Sequence, residues 1–309
     1  MTRLSVVVVN WNLRGQLHAC LASLARQTHR DLEVIVVDNG STDGSAAMVR
    51  AEFPDVAVLP QPDNLGFAEG ANRGIAASRG AWVATLNNDA VAEPDWAKAL
   101  AEAAATADAN CGMLQSLLLY SRRPGTINST GLSVTSSGHG RDRAEGQPQR
   151  ELVPEDVFCP TAGAAAYRRA MLEAVQLPSG YFDRNHFLYY EDLDLGWRAR
   201  LAGWTARYVP GAVVRHHWHA STDRIEAARL HEIAEINRLR TLVKNASLPF
   251  LVRTARASAR SMASLVRHGG PGTLRRLGAA LWQSAAARRW VTAQAMLDRR
   301  EVERRWVVR

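Results

Sequence analysis

The stretch LSVVVV at residues 4–9 decides the fold class of this chain. It is a continuous, mostly β-branched run bounded by polar residues, which is typical of a strand buried on both faces of a parallel sheet. A helical pattern with Leu17, Leu21 and Leu24 on one face follows it, and residues 32–37 form a second buried run. Because a strand, a helix and a second strand follow one another so closely, the sequence predicts a βαβ unit.

The alternation of strand and helix continues outward from this unit. We expect a helix after Asp43, a short strand at residues 56–59, a helix at residues 67–78 and a strand at residues 82–86. Strands that alternate with helices predict an open α/β sheet, and the ligand site of such a sheet lies beyond the carboxyl ends of its strands. Polar clusters that follow those strand ends are therefore the candidate site.

The rest of the chain divides into three segments of different composition. Residues 121–150 are rich in Gly, Ser, Arg and Gln, and they predict a long mobile loop. Residues 151–222 return to apolar runs, and residues 223–309 have a helical pattern almost throughout. The sequence therefore predicts a globular domain over residues 1–222 and a helical tail over residues 223–309.

Charge is distributed unevenly along the 309 residues. The chain has a net charge of +8, and residues 238–309 hold sixteen Lys and Arg against three acidic residues. The remainder of the chain is mildly acidic. The tail is therefore expected to meet an anionic partner, either a lipid surface or nucleic acid.

The tail also has the pattern of a helix that lies along a membrane surface. Arginines recur on one helical face and apolar residues recur on the opposite face. Three tryptophans lie among further arginines, a mixture that suits the headgroup layer of an anionic membrane. The alternative is a solvated basic helix that packs on the globular domain. The residues concerned are Arg253, Arg256, Arg260 and Arg267, then Leu251, Ala255, Ala259, Met262 and Val266, then Trp282, Trp290 and Trp306.

Two further features bear on the compartment. No stretch of the sequence approaches the roughly 18 uninterrupted apolar residues that a spanning helix needs. The cysteines, Cys20, Cys111 and Cys159, are odd in number and widely spaced, which argues against a disulfide framework and against a zinc site. We therefore expect a cytoplasmic protein that is peripheral on the inner face of the cell membrane.

Polar residues follow the carboxyl ends of the predicted strands. Carboxylate and amide oxygens there can bind a nucleotide base, a ribose or a divalent cation. Glycines in the same clusters lower helix stability, which indicates that a ligand approaches the backbone closely. Ordinary turn, cap and packing roles are the alternative for each cluster. The candidates are Asn10, Asn12, Asp38, Asn39, Gly40, Ser41, Asn64, Gly66, Asn72, Asn88 and Asp89.

The densest cluster of acidic charge lies at residues 187–198. Three carboxylates within four residues follow two tyrosines at a predicted helix start, where the helix dipole favours anions. Asp194 and Arg198 can pair across one helical turn, which leaves Glu191 and Asp192 free to accept a proton from a substrate hydroxyl. The alternative is acidic N-capping of an ordinary helix.

Three histidines, His216, His217 and His219, follow a short predicted strand. Their imidazoles suit a metal ligand or a phosphate contact. Because isolated histidines are usually structural, at most one or two of the three are expected to be functional.

Six motifs, taken in order, resemble those of the family 2 glycosyltransferases of GT-A fold. The resemblance is greatest to the bacterial rhamnosyltransferase-like branch of that family, and it spans residues 1–221. The motifs are VNWN (9–12), VDNGSTD (37–43), NLGFAEGANRG (64–74), LNND (86–89), FLYYEDLDLGWR (187–198) and HHWHAS (216–221).

The resemblance implies a GT-A fold, which is a Rossmann-like open mixed sheet with flanking helices, followed here by the basic helical tail. It also implies a metal-dependent, inverting hexosyltransferase. Residues 1–120 would bind the nucleotide sugar, and residues 151–222 would bind the acceptor and supply the catalytic group.

Individual roles follow from the same resemblance. Asp38 would contact the nucleotide base, and Asp192 would be the general base. Asp89 would stand for the metal-binding carboxylate of the family's D-x-D motif, although Asn87-Asn88-Asp89 keeps only one carboxylate. By its spacing to Ser221, His216 would be a later metal or diphosphate contact. Further expected substrate contacts are Thr161, Gly163, Glu191 and Trp218.

The resemblance also implies the ligands. The cofactor would be Mg²⁺ or Mn²⁺, and the donor a dTDP- or UDP-sugar, with L-rhamnose from dTDP-rhamnose favoured. The acceptor would be a saccharide or a polyprenyl-linked glycan in bacterial cell-surface polysaccharide synthesis. The tail would contact an anionic membrane, and no nucleic acid is expected.

Two other classes of function compete with this interpretation. A nucleotidyltransferase that makes nucleotide sugars shares a doubly wound sheet, but it usually has a glycine-rich basic loop after the first strand, where this chain has Asn10-Trp11-Asn12. A nucleic-acid-binding protein would use the basic tail, but the tail has no visible recognition fold.

Overall fold

The computed structural model of this protein describes residues 3–149, 153–217, 226–268 and 272–308. The strands are β1 Leu4–Asn10, β2 Leu32–Asp38, β3 Ala57–Pro60, β4 Trp82–Leu86, β5 Ala90–Ala92, β6 Cys111–Tyr120, β7 Ile127–Ser129, β8 Leu132–Thr135, β9 Gly140–Asp142, β10 Ala164–Arg168, β11 Thr205–His216 and β12 Val307–Val308. The helices are α1 Arg14–Ala25, α2 Ser45–Glu52, α3 Gly66–Ala77, α4 Trp96–Ala105, α5 Arg169–Ala174, α6 Glu191–Leu201, α7 Ala227–Asn245, α8 Leu248–His268, α9 Thr273–Gln294 and α10 Arg299–Trp306, with one 3₁₀ turn at Arg184–His186.

The predicted βαβ unit forms the parallel half of the main sheet. Its strands lie in the order β3-β2-β1-β4 and are all parallel. Because successive side chains of a strand point to opposite faces, Val6 and Val8 pack with α1 and α4, while Val7 packs with α3 on the other face. The valine run is therefore buried on both faces, as its composition predicts.

The second half makes the sheet mixed. Strand β10 is antiparallel to both β4 and β6, β11 runs parallel to β6, and β5 closes the edge antiparallel to β11. The chain thus has an open mixed sheet with helices on both faces, and this confirms the predicted α/β class.

Residues 121–150 differ from the mobile loop that their composition predicts. Strand β7 pairs with the end of β6, and β8 and β9 form a hairpin. Ile127, Leu132 and Val134 point into the main core. These apolar side chains are separated by Gly, Ser and Thr, so the composition of the segment conceals an ordered sheet that covers one side of the cavity described below.

The basic tail is part of the globular structure. Helix α7 packs on α6, α9 packs on α7, α10 contacts α6, and β12 pairs in parallel with β8. The predicted division at residue 222 therefore does not separate the tail from the fold. Among the helices in the described part of the chain, none combines the length and apolar character that crossing a bilayer requires.

A buried ionic cluster joins α7 to α6 and to the 3₁₀ turn. The ammonium group of Lys244 bonds Asp183 and lies 3.0 Å from Asp194 Oδ1, and Arg198 Nε is 3.0 Å from Asp194 Oδ2. Burial would raise the pKa of Asp183, but Lys244 and then His186 hold it well below its usual value. Although Asp183, His186 and Asp194 could together hold a metal ion, Lys244 already supplies their cation.

The substitution Lys244→Met tests this cluster. It should lower the free energy of unfolding by about 3–5 kcal/mol at pH 7, because Asp183 is left charged, buried and without its cation. The chain's other lysine, Lys98, is exposed, so Lys98→Met is the matched control and should change stability little. Urea unfolding of both variants measures the difference.

The pH dependence has a defined sign. In the wild type, the lowered pKa of Asp183 means that its contribution is present at neutral pH and is lost as the pH falls below about 4. In the Lys244→Met variant, burial without a cation raises the same pKa, so protonation should relieve the penalty by about pH 5. Equal deficits at pH 7 and pH 5 would contradict this explanation.

Candidate active site

A cavity of about 480 Å³ lies beyond the carboxyl ends of the parallel strands. It is walled by the turns after β2 and β4, the start of α3, the β7–β9 segment, and residues 187–193 at the start of α6. Of the residues predicted from the sequence, those that line it are Asn39, Asn64, Gly66, Asn88, Asp89, Thr161, Gly163, Glu191, Asp192 and His216.

The turns after β1, β2 and β4 are tied together by side-chain hydrogen bonds. Asn10 and Asp38 are register partners at the ends of β1 and β2, and Asn10 Nδ2 donates to Asp38 Oδ1 at 3.3 Å. Asn88 Nδ2 donates to Asn10 Oδ1 at 2.7 Å. Ser41 Oγ accepts from the Asn12 amide at 3.0 Å. These five residues fix the three turns behind the cavity, and only Asn88 lines it directly.

Two residues predicted to contact the substrate, Asn72 and Gly40, have structural roles instead. The amide of Asn72 donates to the Phe182 carbonyl at 2.8 Å and accepts from the Phe182 amide at 2.9 Å, so both of its ends are used within the fold. Gly40 has a φ of +70°, and a Cβ there would lie 3.0 Å from Asp63 Cα, so the turn itself requires glycine. These placements correct the expectation that Asn72 and Gly40 line the site.

Gly66 is required where α3 meets residues 187–190, which lead into α6. Its φ is +78°, and a Cβ would lie 2.5 Å from the Phe187 carbonyl oxygen. Asn64 Oδ1 accepts from the Gly66 amide at 2.9 Å, and Asn39 Nδ2 donates to the Gly66 carbonyl at 3.0 Å. A group does approach Gly66 closely, as predicted, but it is Phe187, through its ring and its carbonyl oxygen.

Asp89 and His216 come together across the sheet. Strand β11 carries His216 beside the turn after β4, where His216 Nε2 is 3.1 Å from Asp89 Oδ1 and 3.2 Å from Asn87 Nδ2. His216 Nδ1 donates to Asn128 Oδ1 at 2.8 Å. With Nδ1 as the donor to Asn128, Nε2 can offer its lone pair to a cation held beside the Asp89 carboxylate, as second-shell partners allow for metal-binding histidines. One carboxylate and one imidazole at a cavity wall fit a divalent cation.

Glu191 and Asp192 lie at the amino-terminal end of α6. Asp192 Oδ2 accepts from the Ala162 amide at 3.1 Å, and its Oδ1 accepts from the Leu193 amide at 2.7 Å, so the carboxylate is oriented from two sides. Burial raises the pKa of Asp192. Burial and then the adjacent Asp192 raise the pKa of Glu191 well above its usual value. The pair therefore favours one charged and one protonated carboxyl group.

Comparison with known proteins decides the family. The profile described as "Glycosyl transferase family 2" matches residues 5–175. The chain belongs to glycosyltransferase family 2. An N-acetylglucosaminyl-diphospho-decaprenol L-rhamnosyltransferase of Mycobacterium tuberculosis is 33% identical over 257 residues, which are 74% of this chain and 80% of that protein. The predicted rhamnosyltransferase-like branch is therefore confirmed.

Solved structures share the fold of this glycosyltransferase. One is a mannosyltransferase from Pyrobaculum calidifontis in complex with GDP-Man and Mn²⁺, with a TM-score of 0.53, 19% identity, and coverage of 99% of this chain and 87% of that one. Another is GalNAc-T7 with UDP, GalNAc and Mn²⁺, with a TM-score of 0.66, 15% identity, and coverage of 95% and 56%. At these identities the likeness shows the fold alone, and it confirms the predicted GT-A architecture.

Some cavity residues of this glycosyltransferase were not predicted from the sequence. Asn128, Arg141 and Asp142 all belong to the segment expected to be a loop. Burial raises the pKa of Asp142 to about 6. Only their position along the cavity wall distinguishes them, and no local sequence motif indicates that position. The predicted contact Trp218 lies outside the described residues.

The pairing of Asp89 with His216 predicts a metal-dependent nucleotide site. Mn²⁺ should raise the Tm of the wild type further when a nucleoside diphosphate is present, because cation and diphosphate stabilise each other's binding. Asp89→Asn should abolish that additional shift, whereas Asp55→Asn, at an exposed turn, should retain it. A thermal-shift panel of nucleoside diphosphates and nucleotide sugars measures both, and an unchanged Mn²⁺ effect in Asp89→Asn would remove Asp89 from the cation site.

Proposed function

We propose that this glycosyltransferase moves L-rhamnose from dTDP-rhamnose to a polyprenyl-diphosphate-linked saccharide, with inversion at the anomeric carbon, in bacterial cell-surface polysaccharide synthesis. The 33% identical mycobacterial relative is an L-rhamnosyltransferase that acts on a decaprenol-linked saccharide, and this supports the proposed sugar and class of acceptor. One observation carries the chemical proposal: Asp89 and Asp192, 103 positions apart in the chain, line the same cavity.

The reaction is a single in-line displacement. Asp192 takes the proton from the acceptor hydroxyl while that oxygen forms a bond to the anomeric carbon. The bond from this carbon to the diphosphate oxygen breaks on the opposite face, and the nucleoside diphosphate leaves with the electron pair. Because the Ala162 and Leu193 amides fix both oxygens of Asp192, the base is held in position before the acceptor arrives.

The remaining parts of the cavity bind the donor and its leaving group. Asp89 and His216 would hold the Mg²⁺ or Mn²⁺ ion, which, when bound, neutralises charge on the departing diphosphate. Asp38 does not line the cavity itself. It lies at the end of β2 beside Asn39, which does, and it would accept a hydrogen bond from a nucleotide base bound over this turn. Thr161 and Gly163 would contact the acceptor side, since both line the wall next to Asp192.

Asp192→Asn tests the general base. General-base assistance contributes about 10²- to 10⁴-fold, so turnover should fall by that factor while affinity for the nucleoside diphosphate stays unchanged. Asp55→Asn again serves as the control. Transfer of labelled sugar and nucleotide titration measure the two quantities, and unaltered turnover would exclude Asp192 from this role.

We also propose that α8 holds the enzyme on an anionic membrane. Its inner face packs through Phe250, Thr254 and Leu265, and an outer stripe is left exposed. Leu248 and Val252 on that stripe are 71% and 68% exposed. The full stripe is Leu248, Val252, Ala255, Ala259 and Val266, and Leu251 and Met262, which the sequence placed on the apolar face, are half-buried.

Charge supports a lipid partner for this stripe. Beside it runs a second exposed row, Arg253, Arg256, Arg260 and Arg267. Among the described residues, none of the four guanidinium groups forms an ion pair with a carboxylate, and α8 contains no acidic residue. An apolar stripe flanked by unneutralised arginines is the pattern of a helix that lies in the headgroup layer.

The double variant Arg256→Glu/Arg260→Glu tests membrane contact. Each basic side chain near an anionic surface contributes about 1 kcal/mol, so flotation with phosphatidylglycerol vesicles should fall at least about tenfold. Arg26→Glu/Arg50→Glu makes the same charge change at exposed positions of α1's end and α2, and it should float like the wild type. Equal losses in the two double variants would show that net charge, and not α8, governs binding.

A further inference from the structure

The backbone that leads into α6 is held in an unfavourable conformation. Phe187, Tyr189 and Tyr190 have φ values of +62°, +68° and +69°. For residues other than glycine this region costs roughly 1–2 kcal/mol each, and it persists only where surrounding contacts impose it. Residues 187–190 line the cavity and are followed directly by Glu191 and Asp192. The position of the proposed base thus depends on whatever holds this segment.

One side chain from α7 bonds the backbone within this segment and at the residue before it. Asn237 is 3% exposed, and its Nδ2 lies 2.6, 2.9 and 3.0 Å from the carbonyl oxygens of His186, Leu188 and Tyr189. Because the amide group has two hydrogens, two of these oxygens share one of them. The three carbonyl groups therefore converge on a single side-chain amide. On the other side of the segment, the Ala68 amide donates to the Phe187 carbonyl at 3.2 Å.

Further residues of α7 bond the chain on either side of this segment. One and two turns after Asn237, Thr241 Oγ1 lies 3.2 Å from His186 Nε2, and Asn245 Nδ2 donates to Asp194 Oδ1 at 2.8 Å. Lys244 adds its ammonium group to Asp194. Thus α7 contacts the chain both before the strained segment and within the first turn of α6.

We propose that Asn237 is a positioning residue, which holds residues 187–190 so that Asp192 faces the reacting centre. This role rests on the proposed function of Asp192. It places a determinant of catalysis in the basic tail, 62 positions beyond the last residue matched by the family profile. Asn237 itself touches no reacting atom; it acts through the backbone that it bonds.

Two substitutions remove the donor in different ways. Asn237→Ala deletes the amide, and Asn237→Asp keeps the size but sets a carboxylate against the carbonyl oxygens. The control is Leu239→Ala, two positions along α7, where the side chain packs with Leu265 and Leu277 away from the cavity. The void left by this truncation lowers the free energy of unfolding but leaves the Asn237 amide in place. The control therefore separates a general loss of stability from the loss of the hydrogen-bond donor.

Amide hydrogen exchange tests the attachment directly. Both Asn237 variants should exchange faster at residues 186–193, by at least about tenfold, while Leu239→Ala should keep wild-type protection there. If Leu239→Ala loses the same protection, or if both Asn237 variants keep it, the proposal is overturned. This measurement needs no substrate, so it stands apart from the identity of the sugar donor.

Steady-state kinetics test the consequence for catalysis. A displacement of the base by about 1 Å costs up to about 10²-fold, so kcat should fall 10- to 100-fold in the Asn237 variants with the KM for the donor within about threefold. Leu239→Ala should keep kcat at a temperature where it is folded. A kcat loss in Leu239→Ala that equals that of Asn237→Ala would overturn the positioning role. If the wild type transfers no sugar, the proposed function fails while the exchange result still decides the attachment.

Discussion

The parallel register of β1 with β2 and β4 is the constraint on which the site depends. It aligns Asn10 with Asp38 and brings the turn after β4 beside them, so that Asn88 can bond Asn10. These polar side chains are buried and would be costly if left without partners. The hydrogen bonds among the turns therefore fix the floor of the cavity, against which Asp89 is set before any ligand binds.

The parallel half of the fold could be predicted because its signal is local. A buried parallel strand such as β1 is apolar over most of its length, so its sequence reveals both its type and its approximate bounds. The segment containing β7, β8 and β9 has no such signature, since β7 has one apolar side chain, β8 has two and β9 has none. Strand β8 pairs with β12 near the end of the chain, a contact that no local pattern indicates.

The candidate site likewise contains residues that a local motif indicates and residues that no local motif indicates. Motifs identified Asp89, Asp192 and His216, because each lies in a dense polar cluster at the end of a strand or the start of a helix. Asn128 and Asn237 are single asparagines without such surroundings, yet one orients the His216 ring and the other holds the backbone before Asp192. A residue that acts on another residue is recognised only when the two are seen together.

Net charge is a similarly incomplete guide to the tail. Much of its basic charge serves the fold: Arg238 pairs with Glu235, Arg276 with Glu232, and Arg305 with Asp156, while Arg288 donates to carbonyl groups at the end of α7. The net charge of the tail includes these paired arginines together with those that face the solvent. Because a paired cation is already neutralised, attraction at a distance comes from the unpaired arginines, and α8 carries an exposed row of four of them. The tail therefore has two structural roles: α8 presents a row of exposed arginines at the surface, and α7 bonds the backbone that leads into α6.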